Sequence, residues 1–344
     1  MIKPLALVAA CILLLSSCNN SSHLDSSKTE GGSSAFSSQN DSSLFGSSSS
    51  QDDRVQELLA DPFYENGFDL KSTTTLDGSL VVRHLDYDGK ANEASWKMAQ
   101  WWTPFDFKNA TYTYKDGRHI YENESRFLGV DTEKGEMEMC LDSYKEYLEL
   151  FGGSRTKGSQ NWSHFLIEQN FPKAVPLSSL EKLYLKLNFG IYEVSNEDEE
   201  NYSPSIHAAQ FVLYFTVRNV KENKFFWFGL PFYDNRGSGY SDEYSIDSGF
   251  VGATNTLIYK MGRKSFLEDK LPVIGKEYAL NVDVLPYMVD AFLFGATDSA
   301  IGMPYKDWKM EDLVVDYLNF GWELPGSFKV DSRFSGLSVE AHYL

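Results

Sequence analysis

Past residue 60, apolar and polar residues trade places every second position in short stretches closed by Gly, Asp or Asn, a period that predicts strands. Gly78–Leu85, Thr111–Tyr114, Arg126–Val130 and Glu136–Leu141 read as short strands. Trp162–Gln169, Leu183–Val194, Gln210–Val217, Phe225–Tyr233, Thr256–Met261 and Tyr278–Val284 are longer and richer in β-branched and aromatic residues. The chain closes with Leu313–Trp322 and two runs, Phe328–Phe334 and Leu337–Tyr343. They break at Ser335-Gly336, where a bulge or tight turn is expected. Helical periodicity is scarce. Asp142–Phe151 and Pro286–Phe294 are the main helix candidates, Pro286 being placed to open the second, and Gln51–Ala60 reads as a short amphipathic helix. Strands without interleaved helices predict an all-β, two-sheet antiparallel sandwich with one or two short helices. No composition shift divides residues 52–344, which read as one domain.

Alternation also assigns faces. Between His207 and Arg218, Phe211, Leu213, Phe215 and Val217 point one way, and Gln210, Tyr214, Thr216 and Arg218 the other. Phe226, Phe228, Leu230 and Phe232 form a core row, with Trp227 and Tyr233 opposite. Tyr278, Leu280, Val282 and Val284 form another, with Asn281 and Asp283 opposite. Trp162, His164 and Glu168 share a face against Phe165 and Ile167. The second faces therefore mix large aromatics with planar polar groups, the mixture that stacks on sugar rings and pairs with their hydroxyls. A polar second face is also what any antiparallel sheet shows to water. Bulky aromatics on such a face call for a ligand or a cover, and Ala94–Phe107, with Trp96, Trp101 and Trp102, is a candidate cover.

The succession Glu146-Tyr147, Arg155, Trp162-Ser163-His164, Leu166-Ile167-Glu168-Gln169, Asp234-Asn235-Arg236 and Gly321-Trp322-Glu323 resembles a concanavalin A-like jelly roll of carbohydrate-active bacterial proteins, over most of residues 70–344. The resemblance implies a concave sheet that grips a glycan. It carries over no catalytic residue.

A retaining glycosidase needs two carboxylates about 5 Å apart. No strand carries Glu-x-Asp-x-Glu, so a pair would come from separate strands, for example Glu168 with Asp283. A lyase needs a base and a neutraliser for a uronate carboxylate, roles open to His164, Gln210, Tyr214 and Arg218 if they converge. There is no Gly-x-Ser-x-Gly elbow and no close histidine pair, and Cys140 reads as a core thiol. Asp234, Asp242 and Asp247 fall in a Gly- and Ser-rich stretch and are candidates for structural calcium. No other cofactor is implied.

The first eighteen residues have a different pattern. A basic start, Met1-Ile2-Lys3, precedes an apolar run from Pro4 to Leu15 that is too short to span a bilayer. Ser16-Ser17-Cys18 then resembles the lipobox of bacterial lipoproteins, which implies removal of residues 1–17 and acylation of Cys18. Residues 19–50 hold 14 serines, so 18–51 reads as a lipidated cysteine and a flexible tether. The net charge of −18 opposes nucleic acid and polyanions as partners. The expectation is an exported, lipid-anchored protein facing outside the cytoplasm, whose Cys18 anchor is its only contact with the bilayer. Its sheet binds a polysaccharide through Trp162, Gln210, Tyr214, Arg218, Trp227, Tyr233, Asn281 and Asp283. The alternatives are a glycoside hydrolase or lyase on the same fold, with His164, Glu168 and Asp283 as catalytic candidates, and an adhesive envelope lipoprotein with a protein partner.

Overall fold

A computed structural model of the chain describes residues 54–74, 80–87, 89, 93–248, 253–297 and 304–344. The proposed leader, Cys18 and the tether lie outside the described residues. The first half of the chain runs β1 (Val55–Glu57), β2 (Phe68–Lys71), β3 (Val81–Leu85), β4 (Trp96–Ala99), β5 (Thr111–Lys115), β6 (Arg118–Glu122), β7 (Arg126–Asp131), β8 (Glu136–Asp142), α1 (Ser143–Phe151) and β9 (Ser163–Pro176). It continues through β10 (Leu180–Asn196), β11 (Gln210–Asn219), β12 (Lys224–Asp234), β13 (Glu243–Ile246), β14 (Leu257–Lys260), β15 (Glu277–Asp283), α2 (Leu285–Thr297), β16 (Leu313–Leu324) and β17 (Phe328–Tyr343).

These strands form a jelly-roll sandwich of two sheets. One has eight strands, in the order β15-β10-β17-β8-β7-β6-β5 with β1 added beside β17. The other has nine, in the order β13-β14-β12-β11-β16-β9-β4-β2-β3. The pairing is antiparallel except at β12–β14 and β2–β4, which are parallel. The expected core rows meet between the sheets: Phe211, Leu213, Phe215, Phe226, Phe228, Leu230 and Phe232 are all buried. Each buried aromatic of this kind contributes roughly 2–3 kcal/mol of transfer free energy.

Both main helices form where the pattern placed them. The Asp142 carboxylate accepts from the Lys145 amide at the start of α1, and Gly152 closes it with φ 73°. The region read as an amphipathic helix, Gln51–Ala60, instead holds β1, an edge strand against His342–Glu340. Its apolar spacing is too short to decide between the two periods. The break at Ser335-Gly336 is a bulge inside one continuous strand: Ser335 pairs with Asn188 and Ser338 with Lys186, with Gly336 at φ 62°.

A buried ion pair ties the sheets to α1. Arg126 on β7 bonds Glu146 on α1 at 2.7 and 3.1 Å, and both side chains are fully buried. Thr103, Ser125 and Ser163 also donate to Glu146, so its carboxylate is saturated. The remaining Arg126 nitrogen donates to the His164 carbonyl at 2.9 Å.

Candidate functional site

The outer face of the nine-stranded sheet carries a cleft of about 440 Å³. Register builds its floor in rungs. His164, Glu323, Gln210 and Asp234 lie side by side across β9, β16, β11 and β12. Two residues along, Leu166, Gly321, Val212 and Pro231 form the next rung. Then come Glu168, Asn319, Tyr214, Gly229 and Lys260. Gly321 has φ 146°, and a Cβ there would run into the Phe165 carbonyl. Only glycine fits, and its bare backbone keeps the floor open between Asn319 and Glu323. Trp101, Trp102 and Trp162 wall one end, while Ser245–Ser248 and Thr254 wall the other. Trp102 holds φ 63°, an uncommon backbone state for a bulky residue, and its amide is pinned to the Thr73 carbonyl at 2.7 Å.

Glu323 is the site's perturbed acid. Burial on the cleft floor and the like charge of Asp247 outweigh the Lys260 ammonium and the Trp162 indole, and its pKa is pushed up to about 7. Burial opposes the charge on Lys260, but Tyr214, Asp234 and Glu323 around it more than compensate, so its pKa is raised. Burial pushes the Tyr214 phenol up to about 12. Trp227 stands half-buried over the floor, its indole N–H on Thr254 Oγ1 at 3.3 Å.

Other charges in the walls are spent internally. Arg155 donates to the carbonyls of Gln160, Ile206 and Pro325 at 3.0, 2.9 and 2.6 Å. Arg236 pairs with Asp234 at 2.6 Å, and these bonds outweigh burial to hold the Asp234 carboxyl below the usual range. The Asp234 carboxylate also accepts from Gln210 at 3.0 Å.

The structure gathers Trp162, His164, Gln210, Tyr214 and Trp227 in this cleft. It removes several other expected members. Tyr233 is a core residue against Trp322, at 6.2 Å between rings. A bulge causes this: Phe211 pairs with Tyr233 but Val212 pairs with Pro231, so Phe232 is extra and parity flips beyond it. Asn281 and Asp283 belong to β15 at the edge of the other sheet. Asp283 accepts from the Leu183 and Leu285 amides at 3.1 Å, so its place is at the start of α2. Alternation assigns a face within a strand but never names the sheet, and the pairing of Glu168 with Asp283 fails on that ground. Arg218 is bonded to Asp316 at 2.7 Å, away from the cleft lining.

His164 does share the floor, yet burial lowers its pKa to about 3 despite the bond to the Trp162 carbonyl, which makes it a poor base. Glu168 is held by Lys71 at 2.7 Å and Tyr317 at 2.8 Å. The expected cover divides: Trp96 is core, its N–H on the Asp61 carbonyl at 2.8 Å, and Trp101 and Trp102 line the cleft without closing it.

The calcium candidates do not converge among the described residues. Asp234 serves Arg236 and Gln210, Asp242 accepts from the Gly262 amide at 2.8 Å, and Asp247 accepts from Thr254. Cys140 also departs from expectation. It faces outward beside Glu138 and Asp331 on the eight-stranded sheet, where Arg118 and Arg333 pair with Glu138. Burial raises its thiol's pKa.

No protein-family model matches the chain. No curated protein matches it either. Among solved structures it is similar to the endoglucanase Cel12A of Rhodothermus marinus, at 10% identity and TM-score 0.37 over 72% of this chain and 99% of that one. It is also similar to a family 12 xyloglucanase from Bacillus licheniformis, at 11% and 0.38 over 71% and 99%. A third is the xyloglucanase domain of a type three effector from Sinorhizobium fredii, solved with cellobiose, at 13% and 0.34 over 71% and 98%.

Glu323, Asn319 and Lys260 are not among the binding residues that the sequence predicts, and Trp101 enters there only as part of the candidate cover. Continuing the alternation of Leu313–Trp322 past its end would have put Tyr317, Asn319 and Glu323 on one face. Lys260 has no such signal, since it arrives from a short strand near the sheet edge.

Proposed function

We propose that this chain binds a neutral polysaccharide along the cleft of the nine-stranded sheet. The observation that carries the reading is the cleft itself: Trp101, Trp162, Tyr214 and Trp227 supply stacking surfaces around planar polar groups, Gln210, Asn319 and Glu323. The two guanidinium groups are occupied and the chain carries −18, which disfavours a polyanion. Titration with neutral hexasaccharides of glucose, xylose and mannose tests it. Saturable binding weakened about tenfold or more by Trp227→Ala is expected, and an absence of binding across the panel overturns it.

A second reading, hydrolysis, is favoured by Glu323. A carboxyl held protonated to about pH 7 is suited to protonate a glycosidic oxygen, and Asp247 is another carboxylate lining the same cleft. New reducing ends released by the wild type and lost in Glu323→Gln would support it. Binding without turnover would exclude it.

We also infer that Cys18 is acylated and that the serine-rich tether holds the sandwich off a membrane surface. Labelled fatty acid incorporated in the wild type and absent in Cys18→Ser tests this.

A further inference from the structure

On the floor beside Glu323 a chain of hydrogen bonds has a fixed direction. Lys71 donates to Glu168 at 2.7 Å, and the Tyr317 hydroxyl donates to the other Glu168 oxygen at 2.8 Å. That hydroxyl has one proton and has spent it, so towards Asn319 it can only accept. The Asn319 amide therefore turns its N–H₂ side toward Tyr317. The amide's orientation follows from its neighbours. Its Oδ1 then points away from the relay. Asn319 is 6% exposed and lines the cleft, and its Oδ1 has no hydrogen-bond partner. A buried acceptor left unmade is costly, and in native structures such groups call for an explanation. Nearby, Trp101 sits under the Lys71 ammonium at 5.1 Å and against His164 at 5.4 Å, and its buried indole N–H is likewise unpartnered.

We propose that Asn319 Oδ1 and Trp101 Nε1 form a hydroxyl-reading subsite, an acceptor and a donor awaiting one sugar ring. The subsite rests on the glycan reading above and narrows it to a class: a neutral ring whose hydroxyls there are unsubstituted. An O-methyl group cannot donate to Asn319 Oδ1. A carboxylate would set two acceptors against each other beside Glu168. Asn319 and Trp101 would touch the sugar, whereas Tyr317 acts through Asn319 and is a positioning residue.

The test is calorimetric titration of the full chain with the tightest-binding neutral hexasaccharide and with its O-methylated form. The wild type should prefer the free form about tenfold, the worth of one good hydrogen bond. Asn319→Ala should erase that preference while Trp227→Ala weakens both ligands alike and keeps it. Tyr317→Phe, which releases the amide to rotate, should also reduce the preference without removing any sugar contact. Trp101→Phe, which keeps the ring and removes the N–H, should cost several-fold for both forms and leave the preference in place, because an ether oxygen still accepts from the indole. Circular dichroism and melting temperature confirm that each variant is folded. The subsite is overturned if the wild type binds both forms equally, or if Asn319→Ala retains the preference while binding persists. A wild type that binds none of the hexasaccharides overturns the glycan reading itself, and the subsite with it.

Discussion

Glu323 and His164 sit side by side on one rung, yet their environments push them to opposite uses. The glutamate is held protonated up to about pH 7 by burial and Asp247, and the imidazole is held neutral by burial down to about pH 3. A sequence reading favours the histidine as the chemically active member, because its ordinary pKa is near neutral. Burial reverses that order, and burial depends on neighbours that no single strand reveals. The folded-state pKa of Glu323 stands above its ordinary 4.5. The stability this carboxyl contributes is therefore fully present below about pH 4.5 and is lost as pH rises through about 7. Glu323→Gln should remove that slope, raising stability at pH 8 by roughly 2 kcal/mol relative to wild type in denaturant titrations. An unchanged slope between pH 5 and 8 would contradict it. For His164, proton NMR should show no ring titration between pH 5 and 8. A transition near 6.5 would return the imidazole to the list of candidate bases.

At the scale of elements, alternation was reliable wherever a strand stayed regular. The rows Phe211–Val217 and Phe226–Phe232 point inward as their spacing requires. It failed at irregularities and at sheet membership. The slip at Phe232 turned Tyr233 into the core, and β15 joined the far sheet and took Asn281 and Asp283 with it. Neither event leaves a local signal, because a bulge is set by the partner strand and sheet order by the whole packing. The Ser335-Gly336 bulge was legible because glycine marks it. Gly336→Val should cost about 1–2 kcal/mol, since φ 62° is strained for a β-branched residue. Equal stability by chemical denaturation would show that the strand can run without its bulge. The Arg126–Glu146 pair is the other element-level anchor, joining β7, α1 and the start of β9 beneath His164. Glu146→Gln should destabilise the chain by about 3–5 kcal/mol, because it leaves a buried guanidinium without its counter-charge. A loss under 1 kcal/mol would mean that water reaches it.

For the whole molecule, the two sheets divide the work. Their inner faces make one shared core, the outer face of the eight-stranded sheet carries ion pairs such as Arg118–Glu138 and Lys329–Glu193, and the outer face of the nine-stranded sheet carries the cleft. The two-sheet class was readable from strand count and the lack of alternating helices. Which of four polar faces would form one site was not, since it depends on the order β14-β12-β11-β16-β9. That order places residues nearly 160 positions apart, His164 and Glu323, on neighbouring strands. The most direct test of the cleft is a crystal structure of the chain soaked with the neutral hexasaccharide it binds best. Sugar density is expected along the floor, with a ring stacked near Trp227 and a hydroxyl on Asn319 Oδ1. Ligand bound elsewhere, with the cleft empty, would contradict it.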